Sequence, residues 1–193
     1  MSVIRAFIAI EMSPEIRRRL DQVSDELKQR LKDIPVRWVP VENIHLTLKF
    51  LGDVSVANLE VLKKILQSEI AGHHPFEMSV GELGAFPSNR RPRVIWVKVE
   101  APAELEAVQR GIETESTRLG YAREERAFSP HLTLGRVSRN ASSRDIRKIS
   151  EVLDSYKVGF LGAARIQAVH LFRSDLKPGG AVYTCLFTVP LSP

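Results

Sequence analysis

The sequence has only one cysteine and no long apolar run. Cys185 stands alone among 193 residues, which excludes intrachain disulfides and Cys-rich zinc sites and favours a reducing compartment. No apolar stretch approaches the ~20 residues that a membrane span requires. The first ten residues are too short and alternate too regularly for a signal peptide. We therefore expect a soluble, cytoplasmic protein.

Strong charge of one sign is also absent. The 28 Lys and Arg residues exceed the 23 Asp and Glu residues by only five. The acidic residues are well mixed in, and no basic block reaches the length of a nucleic-acid-binding tail. This balance permits a polyanionic partner without identifying one. No linker or low-complexity segment interrupts the chain, so we expect residues 1–193 to form one domain, built as two lobes around a shared core.

The two halves of the sequence repeat one plan of strands and helices. His45 matches His131 at an offset of 86 residues, while Ile10-Glu11 matches Val99-Glu100 at an offset of 89. A strand–helix–strand–helix unit used twice indicates an internal duplication, which places equivalent residues around one pseudo-twofold axis. The sequence closes on two further strands joined through Lys177-Pro-Gly-Gly, a hairpin signal. We predict an α+β fold.

The segment His-Leu-Thr-Leu occurs twice, at 45–48 and at 131–134. Residues two apart on a strand project from the same face, so His45 and Thr47 point one way and the two leucines the other. The same alternation applies to His131 and Thr133. Two such strands brought together across a pseudo-twofold axis present two imidazoles and two hydroxyls to one site.

These four groups suit phosphoryl transfer in which a proton moves at each end. A neutral imidazole accepts a proton from the attacking water, and a protonated imidazole donates one to the departing alkoxide. The hydroxyls of Thr47 and Thr133 can donate to the non-bridging phosphate oxygens. The scheme needs neither a metal nor a cofactor.

Two other interpretations of the histidines are weaker. A zinc site would need a third ligand beside one His per strand, and His73-His74 lacks the spacing to supply it. Satisfied structural histidines would explain one motif better than two duplicated ones.

The segments around both motifs resemble the two-histidine phosphoesterases, and within them the LigT-like RNA 2′,3′-cyclic phosphodiesterases, also called 2′-5′ RNA ligases. The similar segments are Trp38–Gly52 and Ser129–Arg136, together with Arg5–Ala9, Arg91–Trp96, Leu171–Leu176 and Gly180–Tyr183. The resemblance implies a bilobal fold with the site in a cleft between two antiparallel sheets that carry helices on their outer faces. It also implies opening of an RNA 2′,3′-cyclic phosphate to a 2′-phosphate.

A 2′-phosphate product means that the bond to O3′ breaks. On this basis His45 is assigned as the proton donor to O3′ and His131 as the proton acceptor from water. The alternatives are reversible 2′-5′ RNA ligation or cleavage at the same site, and an RNA-binding module with vestigial catalysis. The expected partner is an RNA or oligonucleotide with a cyclic phosphate end, with no membrane and no metal, and we expect a monomer.

Several basic residues are candidates for contacting phosphate or RNA. Arg136 follows Thr133 by three residues and points away in a regular strand, which would make it a solvent-facing Arg. A bulge or a strand end could turn it toward phosphate, and the family pattern retains an Arg at this position. Lys49 shares the parity of His45 and Thr47, so it either lines the site or is a solvated strand end. Arg91 and Arg93 belong to a basic turn that could hold an RNA backbone.

Three aromatic residues are candidates for stacking on a base, namely Trp38, Phe50 and Tyr183. Core packing is the simpler interpretation of Phe50, and for Trp38 the two interpretations are balanced. His170, which lies between Val169 and Leu171, is interpreted as structural.

Overall fold

The structure is a computed structural model, which describes residues 2–178 and 180–193. This part of the chain forms an α+β fold with four helices and nine strands, as predicted. The strands are β1 Val3–Glu11, β2 Val36–Trp38, β3 His45–Ser55, β4 Phe76–Phe86, β5 Val94–Glu100, β6 His131–Val137, β7 Phe160–Ile166, β8 Ala168–Lys177 and β9 Gly180–Pro190. The helices are α1 Pro14–Arg30, α2 Leu59–Ile70, α3 Ala103–Arg118 and α4 Ser143–Ser155.

The strands form two antiparallel halves that meet at β6 and β3. The strand order is β7-β4-β5-β6-β3-β1-β8-β9, with β2 paired to the free end of β6. β3 and β6 share one paired residue couple, Leu46 and Leu132. The two sheets predicted from the sequence are therefore the two halves of one continuous sheet, which are joined through the residue pair Leu46 and Leu132. Each half has its motif strand at the join, which is the arrangement that a pseudo-twofold axis requires.

The helices begin where the sequence provides caps. The Ser13 hydroxyl accepts from the Ile16 N–H at 3.3 Å, and Pro14 occupies the first turn of α1. Ser142 and Asp145 form a reciprocal capping box at the start of α4. Among the described residues, no helix combines the length and the apolar composition that crossing a bilayer demands.

One large apolar core lies between the helices and one face of the sheet. It contains Leu46, Leu48, Leu132 and Leu134, each at most 4% exposed. A second, smaller cluster of Phe7, Ala9 and Phe172 lies apart from this core. Because Ile8 and Ile10 belong to the main core, β1 is buried on both faces. We call the face of the sheet opposite the main core, which carries Phe7 and Ala9, the open face.

The two sequence units exchange parts. Strand β4 comes from the first unit but pairs with β5 and β7 of the second, and β8 of the second unit pairs with β1 of the first. Helix α1 packs on β7, where Ile16 approaches Gly162, and α3 packs on β3. The apolar pattern predicts the first of the two closing strands over residues 164–173, and this prediction was wrong. The strand is interrupted at Gln167, and the two pieces, β7 and β8, belong to opposite halves. The predicted hairpin at 177–180 includes Gly179, which lies outside the described residues.

Candidate active site

Four polar side chains surround the couple that joins the two halves. His45, Thr47, His131 and Thr133 are all half-buried, while the leucines between them face the core. In an antiparallel register centred on Leu46 and Leu132, His45 lies opposite Thr133 and Thr47 lies opposite His131. The alternation predicted for both motifs is confirmed, and it places the four groups on the open face.

Each imidazole is held by a carbonyl of its own chain, two residues earlier. His45 Nδ1 lies 2.8 Å from the Asn43 carbonyl oxygen, and His131 Nδ1 lies 2.6 Å from that of Ser129. A carbonyl can only accept, so Nδ1 carries a proton in both rings. This fixes the ring orientation and leaves Nε2 of each histidine as the atom that exchanges protons.

Aromatic rings pack against both imidazoles. Phe7 stacks on His45 with ring centroids 4.7 Å apart, and Tyr183 meets the same imidazole edge-on at 5.3 Å. Phe86 meets His131 edge-on at 4.8 Å. Rings locked by packing and by a backbone hydrogen bond are pre-organised for proton transfer.

Burial lowers the pKa of both imidazoles below their ordinary 6.5, against the effect of the two backbone hydrogen bonds. The Arg136 guanidinium lowers the pKa of both further, and His131 lowers that of His45. Glu11 raises the pKa of His45 but does not act on that of His131. Because the charge of Arg136 acts on both rings, Arg136 lies close enough to influence the protonation of each imidazole.

A bulge interrupts each motif strand at its second leucine. The register of β6 against β5 shifts between the Trp96–Thr133 and Ile95–Gly135 couples, and that of β3 against β1 shifts between Ala9–Thr47 and Ile8–Lys49. The bulge in β6 gives Arg136 the same face as Thr133, which is one of the two arrangements considered for it from the sequence.

The corresponding bulge in β3 changes the position of Lys49. Lys49 neither lines the site nor lies at a solvated strand end, so both sequence-based expectations for it were wrong. Lys49 turns into the core, where its Nζ contacts Glu113 Oε1 at 2.7 Å and donates to the Ala122 carbonyl at 2.6 Å. Its side chain is 2% exposed. Lys49 therefore ties β3 to α3 and to the segment that leads to β6, and it does not line the open face.

The three aromatic candidates for stacking on a base lie in different environments. Phe50 is 64% exposed, so the expectation of core packing was wrong. Trp38 packs toward the core against Gly135, where an added methyl would come within 3.0 Å of the indole, so core packing is the interpretation that holds for Trp38. Tyr183 reaches the site and touches His45.

Arg91 and Arg93 lie at the other end of β5 from His131. His131 pairs with Lys98, and Arg93 precedes that residue by five, or about 16 Å of strand. The Arg93 guanidinium donates to the Ser138 carbonyl at 3.1 Å. The fold does not bring these two arginines together with the four central groups. His170 lies on the open face with Nδ1 3.1 Å from Thr188 Oγ1.

Apart from Tyr183, the aromatic residues that pack around the motifs were not predicted from the sequence. Phe7 contacts His45, and Trp96 lies 6.4 Å from His131 between ring centroids. The 89-residue offset relates these two residues and could have identified them as a pair. Phe86 and Glu11 carried no signal, because their closeness to the histidines depends on strand pairing.

Comparison with known proteins agrees with this architecture. The family described as LigT like Phosphoesterase matches residues 10–96 and again residues 97–183, once for each unit. A protein of Methanothermobacter thermautotrophicus named RNA 2′,3′-cyclic phosphodiesterase is 36% identical, covering 94% of this chain and 95% of its own length. A protein of the same name from Archaeoglobus fulgidus is 31% identical, with 93% and 96% covered.

Solved structures show the same fold. A Thermus thermophilus protein aligns with a TM-score of 0.77 at 27% identity, over 97% of this chain and 98% of its own. Escherichia coli LigT complexed with 3′-AMP aligns with a TM-score of 0.80 at 23% identity over the whole of both chains. The duplicated family match, the near full-length relatives and the fold lead to one conclusion: this chain belongs to the LigT-like phosphoesterase family.

Proposed function

We propose that the protein hydrolyses RNA 2′,3′-cyclic phosphate ends to 2′-phosphates by two-histidine general acid–base catalysis. The observation that carries the proposal is the pair of imidazoles at the join of the two halves. Both are fixed through Nδ1, and each lies beside a threonine hydroxyl. Near full-length relatives are named for this activity. Membership of a phosphoesterase family agrees with the same chemistry.

In the proposed reaction the cyclic phosphate lies between the two Nε2 atoms. His131 Nε2 takes a proton from water as the water oxygen bonds to phosphorus. The bond from phosphorus to O3′ breaks, and His45 Nε2 gives its proton to O3′. The products are a 2′-phosphate and a free 3′-hydroxyl, and the histidines exchange roles until solvent restores their protons. General acid–base catalysis contributes about 10²–10⁴-fold per group, or ~3–5.5 kcal/mol of barrier each.

Thr47, Thr133 and Arg136 supply the charge stabilisation in this scheme. The two hydroxyls donate to the non-bridging oxygens, where negative charge accumulates as the water attacks. Arg136 faces the same site and offers a planar guanidinium suited to phosphate. A bound phosphate diester also offsets the charge of Arg136, which makes protonation of one imidazole easier in the complex than in the free enzyme.

Of the carboxylates that the structure describes, Glu11 is the one that acts on His45, the proposed proton donor. It raises the pKa of His45, and no carboxylate in the described part of the chain raises the pKa of His131. A general acid must hold its proton until the leaving oxygen needs it, and a base must be neutral beforehand. Glu11 therefore favours the protonated form of His45, while burial and the charges of Arg136 and His131 favour its neutral form.

Metal independence is part of the proposal. Among residues 2–178 and 180–193, no group of three or more His, Cys, Asp or Glu residues is placed to hold a metal ion. The reaction as written assigns every proton and every charge to His, Thr and Arg side chains.

The test is turnover of an oligonucleotide with a 2′,3′-cyclic phosphate end in the presence of EDTA, with the product isomer identified. We expect the 2′-phosphate, and we expect His45→Ala and His131→Ala each to lower kcat by at least about 10²-fold. His73→Ala, in the turn after α2, is the matched histidine control. A 3′-phosphate product or a requirement for added metal would contradict the mechanism. Faster turnover of 2′-5′-linked substrates would favour cleavage or ligation of such linkages, and tight RNA binding without turnover would indicate a binding module.

A further inference from the structure

A second arginine lies beside Arg136 on the open face. β2 pairs with the end of β6, so that Arg37 is the cross-strand partner of Arg136. The couples on either side, Val36 with Val137 and Trp38 with Gly135, pack toward the core. Directly opposed residues of an antiparallel pair share a face, so Arg37 and Arg136 both project from the open face, and both are exposed.

In the part of the chain that the structure describes, neither guanidinium group has a carboxylate partner. No acidic side chain among residues 2–178 and 180–193 lies within 4.0 Å of the Arg37 or the Arg136 guanidinium. Like charges directly opposite on paired strands repel one another, so the pair gains stability from a bound anion. A guanidinium pair binds phosphate well, because each fork can donate two parallel hydrogen bonds.

Arg37 acts on the two histidines less than its cross-strand partner Arg136 does, so the two arginines have different roles. The charge of Arg136 lowers the pKa of both catalytic histidines, whereas Arg37 has no such effect on either. In an oligonucleotide with a cyclic end, the nearest other phosphate is the diester on the 5′ side of the terminal nucleotide.

We propose that Arg37, beside Arg136, binds this second phosphate and so makes the enzyme selective for oligonucleotide ends over cyclic mononucleotides. The inference rests on the proposed function for the identity of the reacting group. Arg37 is a specificity residue in this scheme and takes no part in proton transfer. Its contribution appears only when the substrate carries a phosphate 5′ to its terminal nucleoside.

The experiment compares a cyclic mononucleotide with a dinucleotide that ends in the same 2′,3′-cyclic phosphate. Arg37→Gln should lower kcat/KM for the dinucleotide by about tenfold or more, the effect of losing a charged hydrogen bond, and leave the mononucleotide value unchanged. Arg37→Lys should restore part of the loss, since an ammonium still binds phosphate as a point charge. Arg165→Gln, an exposed position on β7 with the same change in charge, should affect neither substrate.

Equilibrium binding separates this inference from the proposed function. The probes are a nucleoside 2′-phosphate and the dinucleotide 2′-phosphate, measured at several salt concentrations. Arg37→Gln should weaken binding of the dinucleotide alone and reduce its salt slope by about one. Equal losses for both probes, or none, would overturn the role of Arg37 whether or not the protein turns over cyclic ends. Absence of turnover by the wild-type protein, with the binding difference intact, would overturn only the proposed reaction.

Discussion

Phe50 and Arg136 occupy equivalent positions in the two halves of the molecule. Each follows the motif histidine of its own strand by five residues, and a bulge gives each the face of that histidine. One is an exposed aromatic ring and the other an exposed cation. The pseudo-twofold axis that duplicates histidine and threonine therefore does not duplicate the charge, and the two ends of the site differ chemically.

This asymmetry predicts a pH profile. Because burial and Arg136 lower the pKa of both imidazoles, kcat/KM should follow a bell with its maximum below pH 6.5. In Arg136→Gln the lost positive charge raises the pKa of both histidines, so both limbs should move to higher pH. The maximum should also fall by about 10–10²-fold, as expected for loss of a charged hydrogen bond. The measurement is kcat/KM against pH, with Arg165→Gln as the control for net charge. An unmoved bell in Arg136→Gln would show that the guanidinium does not act on the histidines.

A leaving group that departs without a proton should distinguish donor from acceptor. With a nitrophenyl ester of a nucleotide as substrate, His45→Ala should lose much less activity than with a cyclic phosphate, because the phenolate needs no general acid. His131→Ala should lose activity on both substrates, because water still needs a base. The measurement is the ratio of rates for the two substrates in each variant. The opposite pattern would exchange the two assignments.

The buried ion pair between Lys49 and Glu113 should contribute more to the free energy of unfolding than an exposed pair does. Lys49→Met removes the only cation paired with Glu113 among the described residues, although the Glu124 N–H still donates to that carboxylate, and should lower the free energy of unfolding by about 3–5 kcal/mol. Replacing both members with apolar residues, as in Lys49→Met with Glu113→Leu, should recover much of that loss. Lys98→Met is the matched control, since Lys98 and Glu82 form an exposed pair at 3.4 Å and should contribute less than about 1 kcal/mol. Urea unfolding measures all three variants, and equal losses for Lys49→Met and Lys98→Met would contradict the role given to burial.

The glycine beneath Trp96 should be required for the shape of the site. A methyl at Gly84 would overlap the six-membered ring of Trp96, so the indole would have to move, and Trp96 lies beside both Phe86 and His131. Gly84→Ala should destabilise the fold by about 1–3 kcal/mol and lower kcat/KM. Gly72→Ala, where the methyl meets nothing within 4 Å, should change neither. Wild-type activity in Gly84→Ala would show that the indole can shift without disturbing His131.

The central groups were predictable because two patterns agree. Alternation along a strand places His and Thr on one face, and the 86-residue offset pairs His45 with His131. Lys49 was misplaced because alternation assumes an unbroken ladder, and nothing in the local sequence marks the residue that a bulge leaves unpaired. Phe7 was missed because β1 is buried on both faces, which removes the contrast that identifies an open face.

The exchange of strands and helices between the two sequence units makes them interdependent. From the first unit, β4 pairs with β5 and α1 packs on β7. From the second unit, β8 pairs with β1 and α3 packs on β3. A fragment ending between β4 and β5 would carry a strand without its neighbours and a helix without the surface that it covers. The duplication is thus interlocked, and the site forms only when both units of one chain are folded together.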